Sequence, residues 1–281
     1  MAEISAKDVA ALRKLTGAGM MDCKKALLEN DGDFERAKDW LREKGIAGAA
    51  KREGRAADQG AIEVLVTGDV GAVVELNCET DFVAKGDVFA KALGALTKLV
   101  VDEGDTELGS KRIDGETVDD FVKGLSGTLG EKIELGRISR FASTDGLLDG
   151  YKHVQNERGT VGVVVELGGV DRADANARTV AHDIALHIAS AAPRYVSRDE
   201  VPADEVAHER EIYEAQTREE GKPEQALPKI VEGKLNGFFK NVALVEQPSV
   251  KDQKVTIGAL VAGLGSGAVV RRFARVKIGE E

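Results

Sequence analysis

Few residues in this chain are spaced for chemistry of its own. The four histidines are His153, His182, His187 and His208. His182 and His187 lie five apart, whereas paired metal ligands on one helix need a separation of about four. His187 sits in an apolar helical stretch and reads as a satisfied core or interface histidine. Gly104 to Lys111 comes close to a phosphate-binding loop. It ends Gly109-Ser110-Lys111, however, and the lysine must precede the hydroxyl if the pair is to reach phosphate and Mg²⁺. Gly263 to Gly267 is a turn that matches no dinucleotide fingerprint. No Gly-x-Ser-x-Gly elbow occurs, and no acid–base pair gathers around a nucleophile. What remains is a binding feature. The apolar run Gly71-Ala72-Val73-Val74-Glu75-Leu76 leads into polar Asn77 to Asp81, and Phe82 and Val83 follow. An acid beside a bulky aromatic on a loop tip builds a core poorly and suits a probe that enters another molecule. The alternative is that Phe82 and Val83 open the next helix and pack inward. Taken alone, these residues favour that alternative.

An internal repeat shifts the balance. Gly162-Val163-Val164-Val165-Glu166-Leu167 repeats Gly71–Leu76 with one change, Val163 for Ala72. Each copy follows a turn-like stretch, Thr67 to Asp69 or Asn156 to Gly159, and precedes a long helical segment. The chain therefore reads as one α+β unit used twice. Beyond the shared strand the first copy continues to Asp81-Phe82. The second continues Gly168-Gly169-Val170-Asp171-Arg172, with no aromatic. A Phe needed to close the unit should have a bulky counterpart, so Phe82 reads as an addition to the scaffold.

Bulk properties narrow the class. The 281 residues suffice for two or three domains with real cores. A net charge of −10, from 39 basic and 49 acidic residues, argues against bulk phosphate-backbone binding. Only 4% of residues are aromatic, which argues against a base-stacking platform. No direct nucleic-acid partner is expected. The isolated Cys23 and Cys78 exclude a disulfide framework and fit a reducing cytosol. The N-terminus lacks an apolar signal region, and no window approaches the roughly 20 apolar residues that span a bilayer.

The elements follow from periodicity and caps. Ser5 with Asp8 caps a first helix with an apolar stripe of Val9, Leu12 and Leu15, ended by Thr16 to Gly19. A second helix runs from about Met20 to Leu28. Asp33 caps a third, with Phe34, Ala37, Trp40 and Leu41 on one face and Gly45 as its stop. Residues 1–45 thus form a three-helix domain. Residues 46–59, rich in Ala, Gly and charge, form a linker or a loosely attached helix. Residues 60–145 form the first α+β subdomain. In it Ile62, Val64 and Val66 begin a hairpin, a helix carries Val88, Leu93, Leu96 and Val100, and residues 102–116 are polar loop. A shorter helix covers 117–128, and Lys132–Ser143 is a strand with a bulge at Gly136. Residues 146–281 form the second subdomain, with a helix over 175–191. Residues 203–240 read as an inserted antiparallel helical hairpin with a seam of Val206, Tyr213, Ile230 and Leu235. Strands return at Val242–Glu246 and Val269–Ile278.

Two long stretches resemble the signatures of bacterial elongation factor Ts. They are Leu12-Arg13-Lys14-Leu15-Thr16-Gly17-Ala18-Gly19-Met20-Met21-Asp22-Cys23-Lys24-Lys25-Ala26-Leu27 and Glu75 to Lys85, the latter containing Asn77-Cys78-Glu79-Thr80-Asp81-Phe82-Val83. Ile184 to Ala189 followed by Pro193, and Val231 to Leu235, are similar to later parts of the family. The resemblance implies a cytoplasmic guanine nucleotide exchange factor for elongation factor Tu. Such a factor works as a heterodimer or heterotetramer with its partner, with no catalytic site, cofactor or metal of its own. It implies an α+β fold with a UBA-like N-terminal domain, two related subdomains with antiparallel sheets, and a coiled-coil hairpin in the second. It places Thr80, Asp81, Phe82 and Val83 at the partner's Mg²⁺ site. Leu12, Arg13, Thr16, Gly17, Met20 and Met21 would dock on the same partner domain, with His153 and His187 as contacts from the core. The turn Val154–Thr160 reads as longer than the family's. An adaptor without exchange activity, or an enzyme with a site split across the chain, remains compatible with the residues alone.

Overall fold

The computed structural model describes residues 4–49 and 52–280, with side chains from 46 to 49 left aside. It is a mixed α and antiparallel β architecture that opens with helices. Helix α1 (Ala6–Thr16) begins with a reciprocal capping box. In it the Asp8 amide donates to Ser5 Oγ at 3.2 Å and the Ser5 amide to Asp8 Oδ2 at 3.0 Å. The helix ends at Gly17, whose φ of 71° is the left-handed cap that glycine adopts without strain. Helices α2 (Met20–Glu29) and α3 (Phe34–Ala49) close on Leu12, Cys23, Ala26, Leu27 and Ala37. Leu15, expected in that stripe, is instead exposed, one position past the buried face.

Helix α3 does not stop at Gly45 but continues to Ala49, into the segment read as a linker or a loosely attached helix, of which residues 50 and 51 lie outside the described chain. Gly45 serves close approach rather than termination. It abuts Gly127 of α6 (Val118–Leu129), and a Cβ on Gly127 would fall on the Gly45 backbone.

Two three-stranded antiparallel sheets follow, in the orders β1 (Gln59–Thr67), β2 (Val70–Cys78), β5 (Ile133–Ala142) and β6 (Leu147–Gln155), β7 (Arg158–Gly168), β8 (Val269–Lys277). The repeated hexapeptides form the middle strands β2 and β7. Ala72, Val74 and Leu76 face α5 (Asp87–Glu103) and α6, while Val163, Val165 and Leu167 face α7 (Ala175–Ala191). The intervening Val73 and Val164 meet between the sheets, with Ile62, Leu148 and Val276. Both faces of each middle strand are covered, so the runs are apolar rather than alternating. Between α5 and α6, the expected polar loop contains the two-residue strands β3 (Arg112–Ile113) and β4 (Glu116–Thr117).

The repeated glutamates are also buried between the sheets. Glu75 lies at a register shift where β5 carries the extra residue, near Gly136 as expected, and Glu166 lies at the matching shift against β8. Arg137 donates to Glu75 through its backbone amide at 3.0 Å and Nε at 2.9 Å, and Arg272 Nε donates to Glu166 at 2.7 Å. Each arginine then crosses to the other sheet, Arg137 Nη2 to the Lys277 carbonyl at 2.5 Å and Arg272 Nη2 to the Ala142 carbonyl at 3.1 Å. The buried charges are thus paired and hydrogen-bonded, the condition under which burial is tolerated.

Between β7 and β8 the chain inserts the antiparallel helices α8 (Ala203–Glu219) and α9 (Leu227–Val242). Both helices root at one place. Tyr195 pairs with Ala243 in a parallel bridge, and its phenol donates to Glu205 at 2.7 Å. Their seam holds Val206, Tyr213 and Leu235, but Val231 takes the buried place expected for Ile230, and Phe238 and Phe239 complete it. The strand expected over Val242–Glu246 is the end of α9 followed by a 3-10 turn at Leu244–Glu246. A short apolar run does not by itself distinguish the two. Helix α10 (Ile257–Ala262), capped by Thr256, is too short to show a helical period and was not expected. Among the described residues, no helix is long and apolar enough to cross a membrane.

Candidate functional site

At the end of β2 the chain leaves the sheet and turns into α4 (Asp81–Ala84), a single helical turn. A turn this short does not hold itself, because nucleation costs more than its few bonds return. Thr80 caps it, its hydroxyl accepting the Val83 amide at 3.4 Å. The Thr80 amide and hydroxyl in turn donate to Glu131 at 2.9 and 2.6 Å. Val83 packs against the first subdomain's core and Ala84 is buried, which fixes the inner side of the turn.

The outer side carries the chemistry. Phe82 is 84% exposed, the most exposed of the large hydrophobic side chains in the described chain. Asp81 is exposed beside it and receives Lys85 Nζ at 2.6 Å across one helical turn. That hydrogen bond and charge hold the Asp81 carboxyl below the ordinary carboxylate range, so it stays ionised. Of the four residues assigned to the tip, Thr80, Asp81 and Phe82 are exposed, Thr80 also capping the turn, and Val83 is partly buried and anchors it.

The second set of expected contacts divides similarly. Arg13 is exposed, as are Met20 at 54% and Met21 at 74%. Leu12 is fully buried in the three-helix core, so it supports the surface from below and does not form it. Thr16 is half-buried, donating to the Leu12 carbonyl at 2.8 Å and accepting the Ala18 amide at 3.3 Å. Gly17 rests on the first subdomain, where a Cβ would lie 3.1 Å from Thr128 and 3.3 Å from Val88. Val88 belongs to the first turn of α5, just beyond the tip. The α1–α2 turn and the Asp81-Phe82 tip therefore border the same end of that subdomain.

The two core histidines separate. His153 is exposed at the end of β6, with Tyr151 Oη 3.2 Å from its Nδ1. In the turn beyond it, only Asn156 and Glu157 lie between the paired Gln155 and Arg158. Both central residues have positive φ, 51° and 65°, as a two-residue hairpin turn requires. His187, by contrast, is 1% exposed and does not reach the surface in this structure. The Val250 amide donates to Nδ1 at 3.2 Å, so Nδ1 is unprotonated, and Nε2 donates to Gln247 Oε1 at 2.8 Å. Gln247 Nε2 donates to the Asn241 carbonyl at 2.7 Å, which sets the amide's orientation. Burial, opposed by the Gln247 bond, holds this imidazole below its ordinary range.

Sequence reasoning missed three residues of the tip's surroundings. Lys85 lies within the quoted motif without an assigned role. Glu79 and Glu131 lie 52 positions apart and meet only because β2 and β5 pair. His182 places Nδ1 3.0 Å from Asp149 Oδ1. Among the described residues, no group of three or more His, Cys, Asp or Glu is placed to hold a metal ion.

Comparison with known proteins finds relatives along the whole chain. The family model described as Elongation factor TS matches residues 79–280, and that described as Elongation factor Ts, mitochondrial, N-terminal matches residues 2–52. The chain is 50% identical to Elongation factor Ts of a Nocardioides species, covering 99% of this chain and all of that one. It is 49% identical to Elongation factor Ts of Thermobifida fusca over the whole of both chains. Elongation factor Ts of Micrococcus luteus is 45% identical over 99% of this chain and all of its own. The matches run through the three N-terminal helices, the tip and both sheets, and the chain belongs to the elongation factor Ts family of translation elongation factors.

Proposed function

We propose that this protein is a guanine nucleotide exchange factor that binds elongation factor Tu·GDP, disturbs the partner's Mg²⁺ and phosphate site, and promotes release of GDP so that GTP can enter. The observation that carries the reading is the Asp81-Phe82 tip, an ionised carboxylate and an uncovered aromatic held outward on a one-turn helix. Bound GDP is held largely by Mg²⁺ and by backbone amides around its phosphates. A carboxylate brought to that site competes for the metal-bound water and repels phosphate, while Phe82 takes up apolar space. The exposed Arg13, Met20 and Met21 dock on the same partner domain, and His153 meets another part of the partner. The three N-terminal helices act as a UBA-like docking module and α8–α9 as a coiled coil. The protein works in the cytoplasm as a heterodimer or heterotetramer with its partner, without a nucleotide, metal or catalytic site of its own.

Magnitudes require the wider surface. A thousandfold acceleration of release corresponds to about 4 kcal/mol. Burying one phenylalanine supplies roughly 1.5–3 kcal/mol, so Phe82 needs the docking contacts beside it. Release of a fluorescent GDP from elongation factor Tu, followed with and without this protein, tests the reading. Acceleration by catalytic amounts supports it. Binding without acceleration would make the protein an adaptor.

A further inference from the structure

We propose that Glu131 is a positioning residue for exchange: with Glu79 it forms a reciprocal clasp that holds Asp81 and Phe82 outward. The inference rests on the exchange reading above for its function, though the clasp itself is a matter of geometry.

The last paired residues of β2 and β5 are Cys78 and Ile133. Beyond them the two chains part, leaving backbone donors without ladder partners, and such donors must be satisfied elsewhere. The Glu131 carboxylate accepts the Glu79 amide at 3.1 Å, the Thr80 amide at 2.9 Å and the Thr80 hydroxyl at 2.6 Å. The Glu79 carboxylate returns the interaction by accepting the Lys132 amide at 2.6 Å, and it also receives Arg55 Nη1 at 3.1 Å. Each diverging chain is thus closed by a carboxylate from the other. Hydrogen bonds to a charged acceptor are about twice as strong as neutral ones.

Glu131 is itself fixed. It follows Gly130, the left-handed cap of α6 with φ 78°, and Ser126 Oγ donates to its carbonyl at 2.5 Å. The connection runs from α6 through the Glu131 carboxylate to the Thr80 hydroxyl, and from that hydroxyl to the Val83 amide of α4. The same α6 carries Gly127, on which α3 is seated. One helix therefore meets the docking helices directly and the base of the tip through Glu131, two residues past its end.

The duplicated unit supplies a control. Extending the pairings Val74–Ile138 and Val165–Phe273 along the strands makes Val170 and Ser266 the counterparts of Glu79 and Glu131. Neither is a carboxylate. That corner is closed by glycines, Gly169 at φ 69° meeting the backbone of Gly267. The copy with no tip has no clasp, so the clasp is not a requirement of the fold.

The test compares Glu131→Ala and Glu131→Gln with wild type and Phe82→Ala. Hydrogen exchange of the Thr80 amide reads the clasp without reference to any partner. Maximal GDP release from elongation factor Tu, separated from the concentration giving half-maximal effect, reads the function. We expect Glu131→Ala to speed Thr80 exchange at least about tenfold. It should lower maximal release by about the same factor, with half-maximal concentration little changed. Glu131→Gln, which keeps an acceptor, should recover part of both. Phe82→Ala should lose release while Thr80 stays protected. Unchanged Thr80 exchange in Glu131→Ala would overturn the clasp. Fast Thr80 exchange with full release would overturn its positioning role. If wild type itself fails to accelerate release, the exchange reading fails while Thr80 protection still decides the clasp.

Discussion

Phe82 and Val83 are neighbours on one turn of helix with different surroundings, the first standing in solvent and the second packed, partly buried, on the core of the first sheet. Truncating them should therefore separate activity from stability. Phe82→Ala should keep the wild-type melting temperature and lose most of the exchange activity. Val83→Ala should cost about 1 kcal/mol of stability through lost burial. Thermal unfolding and GDP release measured on the same samples check both. Unfolding of Phe82→Ala would show that Phe82 supports the fold.

Linkage makes a second expectation. If this protein weakens nucleotide binding to elongation factor Tu, nucleotide must weaken its own binding by the same factor. Excess Mg²⁺·GDP should dissociate the complex, and chelation of Mg²⁺ should tighten it. Calorimetric titration into the partner, with and without Mg²⁺·GDP, measures this, and equal affinities would leave only an adaptor.

His187 gives the pH dependence. Its folded pKa lies below the ordinary 6.5 because burial disfavours the imidazolium. The unfolded chain then takes up the proton first as pH falls, so His187 contributes stability that is fully present above about 6.5 and is lost as pH falls through the folded value. Protonation at Nδ1 would also break its bond from the Val250 amide. Melting temperature should drop on acidification below neutrality, and less so in His187→Gln. An NMR titration midpoint for His187 at or above the ordinary value would contradict this.

The repeated glycines mark the seam between the sheets. A Cβ on Gly162 would lie 2.5 Å from Ile62 Cγ2 and 2.6 Å from Val73 Cγ2, while one on Gly71 would lie 2.9 Å from Val164 Cγ1. Gly162→Ala should cost about 1–3 kcal/mol by overpacking, and Gly71→Ala less. Gly94, inside α5 with nothing within 4 Å of an added Cβ, is the control. Gly94→Ala should gain roughly 0.5–1 kcal/mol from the helix. Denaturant unfolding of the three variants tests the order.

Patterns carried by contiguous residues were readable from the sequence. The hexapeptides Gly71–Leu76 and Gly162–Leu167 announced both middle strands, and Ser5 with Asp8 announced the first cap. What escaped depended on residues meeting across the fold. Gly45 looked like a stop because a helical glycine has the same signature whether it ends a helix or lets another pass close by. Leu12, Val83 and His187 carried the family's signature without showing which way each side chain points. Glu131 offered no local signal, since its meaning depends on strands that pair about fifty positions apart.

The helical hairpin leaves and rejoins the second subdomain at one bridged pair, Tyr195 and Ala243, and its apolar seam is a cluster apart from the subdomain's own. Such an arm behaves as a socketed attachment. Adding seven residues to each helix would carry its end about 10 Å farther out without disturbing a single strand register. Reach can therefore change between descendants of this gene while the grip of the sheets on one another stays constant.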